Sequence, residues 1–222
     1  MKKLKIGLIH ATMNSVPPIL NAFSKEEAVD LVSFMDEGLI YELNETNKVT
    51  KKMITRLTYL AEKAVDSNVD GILFTCSSFS PYVPAIAEKL SVPVLSSDRS
   101  MLERAVEQSD EIVVIATVGA AGPTTEKMLK EVAEEKKKDV TIHVHLLTEA
   151  FQALQNGNGE EHDRLIKEKI AENADAESIV LAQYSMARAV EDYSNDAVLI
   201  APQVAAESII QLAKAHVKRE SQ

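Results

Sequence analysis

The strongest constraint on this chain is an alternation that runs from one end to the other: short β-branched runs, each followed by a longer amphipathic stretch. Apolar runs edged by Gly, Pro, Ser, Asp or Asn fall at residues 4–9, 29–35, 71–75, 92–95, 111–116, 140–146, 178–182 and 197–200. Their length and boundary chemistry are those of strands. Helix candidates lie between them at 17–24, 48–66, 81–90, 98–108, 123–137, 161–173, 184–192 and 203–218. In 48–66, Val49, Met53, Leu57, Leu60 and Ala64 recur at helical spacing and share one face. Several strands are apolar at successive positions, which suits strands covered by helices on both sides. Such alternation predicts an α/β fold of parallel sheets joined by right-handed crossovers.

The alternation also repeats. Lys5-Ile-Gly-Leu-Ile-His-Ala11 lines up with Glu111-Ile-Val-Val-Ile-Ala-Thr117, and Pro17 falls opposite Pro123. Asp70-Gly-Ile-Leu-Phe-Thr-Cys76 lines up with Glu177-Ser-Ile-Val-Leu-Ala-Gln183, so the two offsets are 106 and 107 residues. A self-similarity of this kind predicts two pseudo-symmetric three-layer α/β/α lobes with mainly parallel sheets. The first is expected to cover 1–97, completed by a C-terminal helix at 203–219, and the second 98–202. Ligands of open α/β sheets bind beyond the carboxyl ends of the strands, and domain seams favour pockets. The active site is therefore expected in a cleft between the lobes.

A formal net charge of −10 argues against general nucleic-acid binding, which wants clustered Lys and Arg. The dense basic run Lys136-Lys137-Lys138 is balanced by Glu134, Glu135 and Asp139 and reads as a solvated helix end. A single cysteine excludes an internal disulfide and fits a reducing compartment. The apolar run Ile6 to Ile9 is too short for an export signal, and no stretch approaches the length needed to span a bilayer. The chain is read as cytoplasmic.

Four loops follow strands that point toward the expected cleft: His10 to Ser15, Thr75 to Ser78, Thr117 to Thr125 and Gln183 to Ser185. All are rich in small hydroxyl or amide side chains. Ser77-Ser78 and Gly122-Pro-Thr124-Thr125 lead into helix starts, where free amides and hydroxyls form an anion site suited to a carboxylate; helix capping is the plainer role for any one of them. Cys76 ends an apolar strand before a helix. A thiol there is expected to have a lowered pKa and to serve as base or nucleophile, or else to be a small buried hydrophobe. His10 ends the first strand and reaches the cleft side, whereas His143 and His145 read as a solvent-facing strand side and His162 and His216 as surface. No histidine, cysteine and carboxylate set completes a metal site. The Gly119-x-x-Gly122 loop lacks a full dinucleotide or phosphate-loop fingerprint.

These elements together resemble the aspartate/glutamate/hydantoin racemase superfamily. The resemblance rests on Ile6-Gly-Leu-Ile-His10 with Asn14-Ser15-Val-Pro17, on Asp70-Gly-Ile-Leu-Phe-Thr-Cys76-Ser-Ser78, on Val92-Pro93-Val94 and on Ser178-Ile-Val-Leu181. It implies cofactor-independent proton transfer at a substrate carbon between one cysteine from each lobe, with hydroxyls and amides holding a carboxylate. Carried over, Cys76 is the first catalytic cysteine. Asn14, Ser15, Thr75, Ser77, Ser78, Thr117, Thr124, Thr125, Tyr184 and Ser185 are expected substrate contacts. The second cysteine should fall at Gln183, which neither donates nor accepts a proton near neutral pH. Full two-base racemisation then lacks its second group. A one-cysteine decarboxylase, a cis–trans isomerase or a non-catalytic carboxylate-binding protein remain as alternatives. The resemblance implies a small carboxylate or amino-acid-like ligand and a homo-oligomer; charge, hydropathy and the incomplete ligand sets add the expectation of no nucleic acid, membrane or metal partner.

Overall fold

The computed structural model describes residues 3–46, 48–119, 121–193 and 195–220. The chain divides into two compact units, Met1–Ser100 with Pro202–Gln222, and Met101–Ala201.

In the first lobe the elements run β1 (Leu4–His10), α1 (Val16–Ala22), β2 (Val29–Met35), α2 (Gly38–Thr46), α3 (Lys51–Asp66), β3 (Gly71–Phe74), a 3₁₀ turn (Ser77–Tyr82), α4 (Val83–Ala87) and β4 (Val94–Leu95). The second lobe runs α5 (Arg99–Gln108), whose first turn still belongs to the first unit, β5 (Glu111–Ala116), α6 (Ala121–Lys136), β6 (Thr141–Leu146), α7 (Thr148–Gln155), α8 (Gly159–Glu172), β7 (Ser178–Leu181), a 3₁₀ turn (Tyr184–Val190) and β8 (Val198–Ile200). The last helix, α9 (Ala201–Glu220), lies almost wholly in the first unit. Each lobe carries a four-stranded parallel sheet, ordered β2-β1-β3-β4 in the first and β6-β5-β7-β8 in the second. The same strand order twice is the structural form of the sequence repeat.

The inner strands β3 and β7 are buried at every position, as strands between two helical layers must be. The outer strand β6 has no buried position: Thr141, His143 and Leu146 are exposed, and Ile142, Val144 and His145 are half-buried. Gly71 opens β3 because α9 leans on it: a Cβ there would lie 3.1 Å from Ile209 Cδ1. The chain's far end thus packs on the third strand of the first lobe.

All eight expected strands form, and the helical face of α3 buries Met53, Leu57, Ala61 and Ala64. The structure departs from expectation in three places. Two helices, α2 and α7, lie where no helix is expected, each after the second strand of its lobe. Both are short, so their periodicity spans too few turns to stand out. The expected helix at 184–192 is a 3₁₀ turn instead. The third departure is His162, which is fully buried, with Nδ1 2.7 Å from Asp163 Oδ1.

The carboxyl end of β2 is fastened by Arg56 of α3. Its Nε and Nη2 donate to the two oxygens of Asp36 at 2.7 and 2.5 Å, and Nη1 donates to Glu42 of α2 at 2.9 Å. Asp36 is therefore an anchor for the α2–α3 pair. Arg56→Ala is expected to lower stability by about 1 kcal/mol, the upper part of the range for a partly exposed bidentate pair. Urea melts monitored by circular dichroism would check it; an unchanged midpoint counts against the anchoring role.

Candidate active site

At the carboxyl ends of β1 and β3, the first lobe builds a buried polar knot. His10 Nδ1 lies 2.8 Å from Thr75 Oγ1 and 3.4 Å from Ser15 Oγ, while Nε2 lies 3.3 Å from Ser33 Oγ. The Ser15 hydroxyl donates to Thr12 O at 2.9 Å and the Thr75 hydroxyl to Ile9 O at 3.2 Å. The Ser15 and Thr75 hydroxyls also lie 2.9 Å apart, so the two hydroxyls and the ring nitrogens form one connected network. Burial drives the His10 pKa from 6.5 down to about 4, which keeps the ring neutral. Ser15 and Thr75, expected as ligand contacts, are thus buried members of this knot.

Cys76 follows Thr75 at the end of the same strand. It is half-buried, packs against the first-lobe core, and has extended backbone angles. Ser77 and Ser78 after it are exposed and open the 3₁₀ turn. The register of β3 on β4 pairs Leu73 with Leu95, so Cys76 and Asp98 each stand three residues beyond one paired position. The Cys76 turn reaches Asp98 directly: Ser80 Oγ donates to its Oδ1 at 2.5 Å, and Ser97 Oγ lies 3.4 Å from the same oxygen. Burial pushes the Cys76 thiol up; Ser78, through its N–H and hydroxyl, pulls the other way, and the Asp98 charge adds to the rise. Burial likewise raises the Asp98 carboxyl against the hydrogen bonds from Ser80, Ser97 and Ser96. The expected lowering of the thiol pKa is therefore corrected. No long helix begins at Cys76, and desolvation outweighs the donors that are present.

The second lobe repeats the plan with different chemistry. Thr75 N donates to Ile9 O at 3.0 Å, and Ala182 N donates to Ile115 O at 3.0 Å, so the third strand is tied to the first alike in both lobes. The repeat puts Ala116 and Ala182 opposite His10 and Thr75, and the polar pair of the second lobe lies one residue further along each strand, between Gln183 and Thr117. Gln183 Oε1 accepts from Thr117 N at 3.0 Å and from Thr117 Oγ1 at 3.4 Å. Thr117 is buried, and Tyr184 and Ser185 are half-buried in the turn after Gln183. Thr124 and Thr125 are the fourth and fifth residues of α6, Thr124 exposed and Thr125 buried. Asn14 sits in a 3₁₀ turn before α1, and its side chain lies outside the described residues. Among the described residues no group of His, Cys, Asp and Glu is arranged to hold a metal ion.

The family model for Asp/Glu/hydantoin racemase matches residues 33–219. The chain belongs to this family. No curated protein matches it. Among solved structures, an aspartate racemase homologue from Pyrococcus horikoshii superposes with a TM-score of 0.71 at 19% identity, covering 96% of this chain and all of that one. Allantoin racemase from Klebsiella pneumoniae gives 0.68 at 14% identity, covering 96% and 89%. Glutamate racemase from Thermus thermophilus, in complex with β-chloro-D-alanine, gives 0.60 at 17%, covering 96% and 82%. At these identities the likeness is one of fold.

Within this racemase fold, sequence reasoning missed Asp98. Its signal was available: Ser96-Ser97-Asp98 is a polar cluster at the end of the fourth strand, the position that made the other loops candidates. Asp98→Asn removes the charge that helps hold the Cys76 thiol up. The midpoint of iodoacetamide alkylation against pH is expected to fall in that variant. An unmoved midpoint would disconnect the two side chains.

No helix among the described residues is long and apolar enough to cross a membrane.

Proposed function

We propose that this chain is a racemase-family enzyme that moves a single proton at the carbon beside a carboxylate of a small amino-acid-like substrate, with Cys76 as the acid/base. The observation that carries the reading is Cys76 itself: a thiol at the end of β3, next to the Asp98 cluster and within reach of two Ser78 donors. Inversion of a stereocentre needs acid–base groups on both faces of the carbon. Gln183, at the matching end of β7, supplies none, so the chemistry begins and ends with one thiol.

A raised pKa keeps Cys76 as S–H at neutral pH, the form that delivers a proton. This favours decarboxylation of a substituted malonate as the second reading. The bond to the departing carboxylate breaks, carbon dioxide leaves, and the electron pair left on carbon takes the Cys76 proton. Water then returns a proton to the thiolate, which the Ser78 donors stabilise in the interval. Covalent cis–trans isomerisation needs the thiolate at rest and fits this setting less well.

The test is incubation in heavy water with amino acids, hydantoins and substituted malonates, followed by NMR. Expected is deuterium at the α-carbon with configuration retained, or loss of carbon dioxide with one deuterium gained. If nothing in the panel reacts and Cys76→Ala binds ligands as the parent does, the catalytic reading fails and a carboxylate-binding role stands in its place.

A further inference from the structure

Three buried side-chain atoms lack a hydrogen-bond partner among the described residues: His162 Nε2, Ser178 Oγ and Gln183 Nε2. His162 lies in α8 with its other ring nitrogen on Asp163, and Ser178 stands at the amino end of β7, away from the ligand-binding side of a parallel sheet. Gln183 alone follows the carboxyl end of a strand. Its amide has a fixed direction. The backbone N–H of Thr117 is only a donor, so it requires the amide oxygen, and the Thr117 hydroxyl lies on that same oxygen. The NH₂ group is therefore turned away from Thr117, and both its donors are unspent.

We propose that Gln183 is an oxygen-binding residue, its NH₂ donating to a carboxylate or enediolate oxygen of the ligand. This rests on the carboxylate reading above and gives the second lobe a recognition role in place of a proton-transfer role. The chemistry is coherent with a single thiol. When a proton or carbon dioxide leaves the carbon, negative charge moves onto the neighbouring oxygens, and a pre-oriented donor stabilises that charge without reorganising. Desolvation strengthens such a bond, and the ligand oxygen satisfies a donor whose burial is otherwise uncompensated. Thr117 is then a positioning residue, since it aims the amide without touching the ligand.

The experiment uses the full chain with malonate and phenylmalonate as probes. Gln183→Met keeps the length of the side chain and removes its donors. Calorimetry is expected to show malonate binding weakened about tenfold or more, as for loss of a hydrogen bond to a charged group. In the parent, the Gln183 side-chain amide pair in a ¹⁵N–¹H spectrum is expected to shift as malonate saturates. Parent-like affinity in Gln183→Met, an unmoved amide pair, or failure of the parent to bind either probe overturns the proposal; should the variant not fold, the amide pair decides. Cys76→Ala separates the two readings, because it tests turnover while leaving the Gln183 donor in place. Parent-like binding with lost turnover in that variant leaves this inference standing, and parent-like affinity in Gln183→Met leaves the Cys76 reading untouched.

Discussion

Cys76→Ala is expected to lower turnover by about two to four orders of magnitude on whichever carboxylate substrate the parent accepts, the range that a positioned acid/base contributes. The side chain is half-buried and already packs as a small apolar group, so alanine leaves the fold in place and the loss falls on chemistry. Affinity for a substrate analogue should change little, because the contacts proposed for the carboxylate lie on other residues. Cys76→Ser is a sharper control. The hydroxyl has nearly the same shape and accepts the same Ser78 donors, but it is a far weaker acid, so activity should fall almost as far. Single-turnover kinetics on both variants would check this, and a serine enzyme of near-parental rate would reassign the proton to another group.

The second large effect is on stability. His10 is fully buried, and its pKa falls from 6.5 in the unfolded chain to about 4 in the fold. Between those values the unfolded state takes up a proton that the native state refuses, so stability rises with pH across that interval. Its contribution is intact above about pH 6.5 and is progressively lost as pH falls toward 4, amounting to about 3 kcal/mol over the window. The cause is burial, which strips water from the ring; Thr75 and Ser33 lie on its two nitrogens, and among the described residues its hydrogen-bond partners include no carboxylate to welcome an imidazolium. Urea melts from pH 7 to 4 on the parent and on His10→Gln separate this from the general titration of carboxylates. The parent curve should fall more steeply by that amount; parallel curves would show that the ring is not buried neutral.

Much of this molecule is written in short-range pattern. The apolar runs placed all eight strands, and the offset of 106 to 107 residues between the halves foretold one strand order used twice. Periodicity is a local property, so a single chain reveals it. Cys76 and Gln183 stand out as candidates for the same reason, since each closes an apolar run at matching points of the repeat. Two helices escaped because α2 and α7 are short and present few buried positions.

What the sequence determined, then, is the pair of α/β lobes and the matching strand ends at which Cys76 and Gln183 stand. Only the tertiary structure decided how those ends behave. The Cys76 thiol is raised because packing removes water from it and Asp98 comes to it from the neighbouring strand, neither of which its flanking residues encode. His10 is neutral because the folded lobe buries it, with a threonine 65 positions away on its ring, and the Gln183 amide is aimed by a threonine 66 positions away. Desolvation and the direction of a hydrogen bond depend on atoms that meet only after the chain has folded.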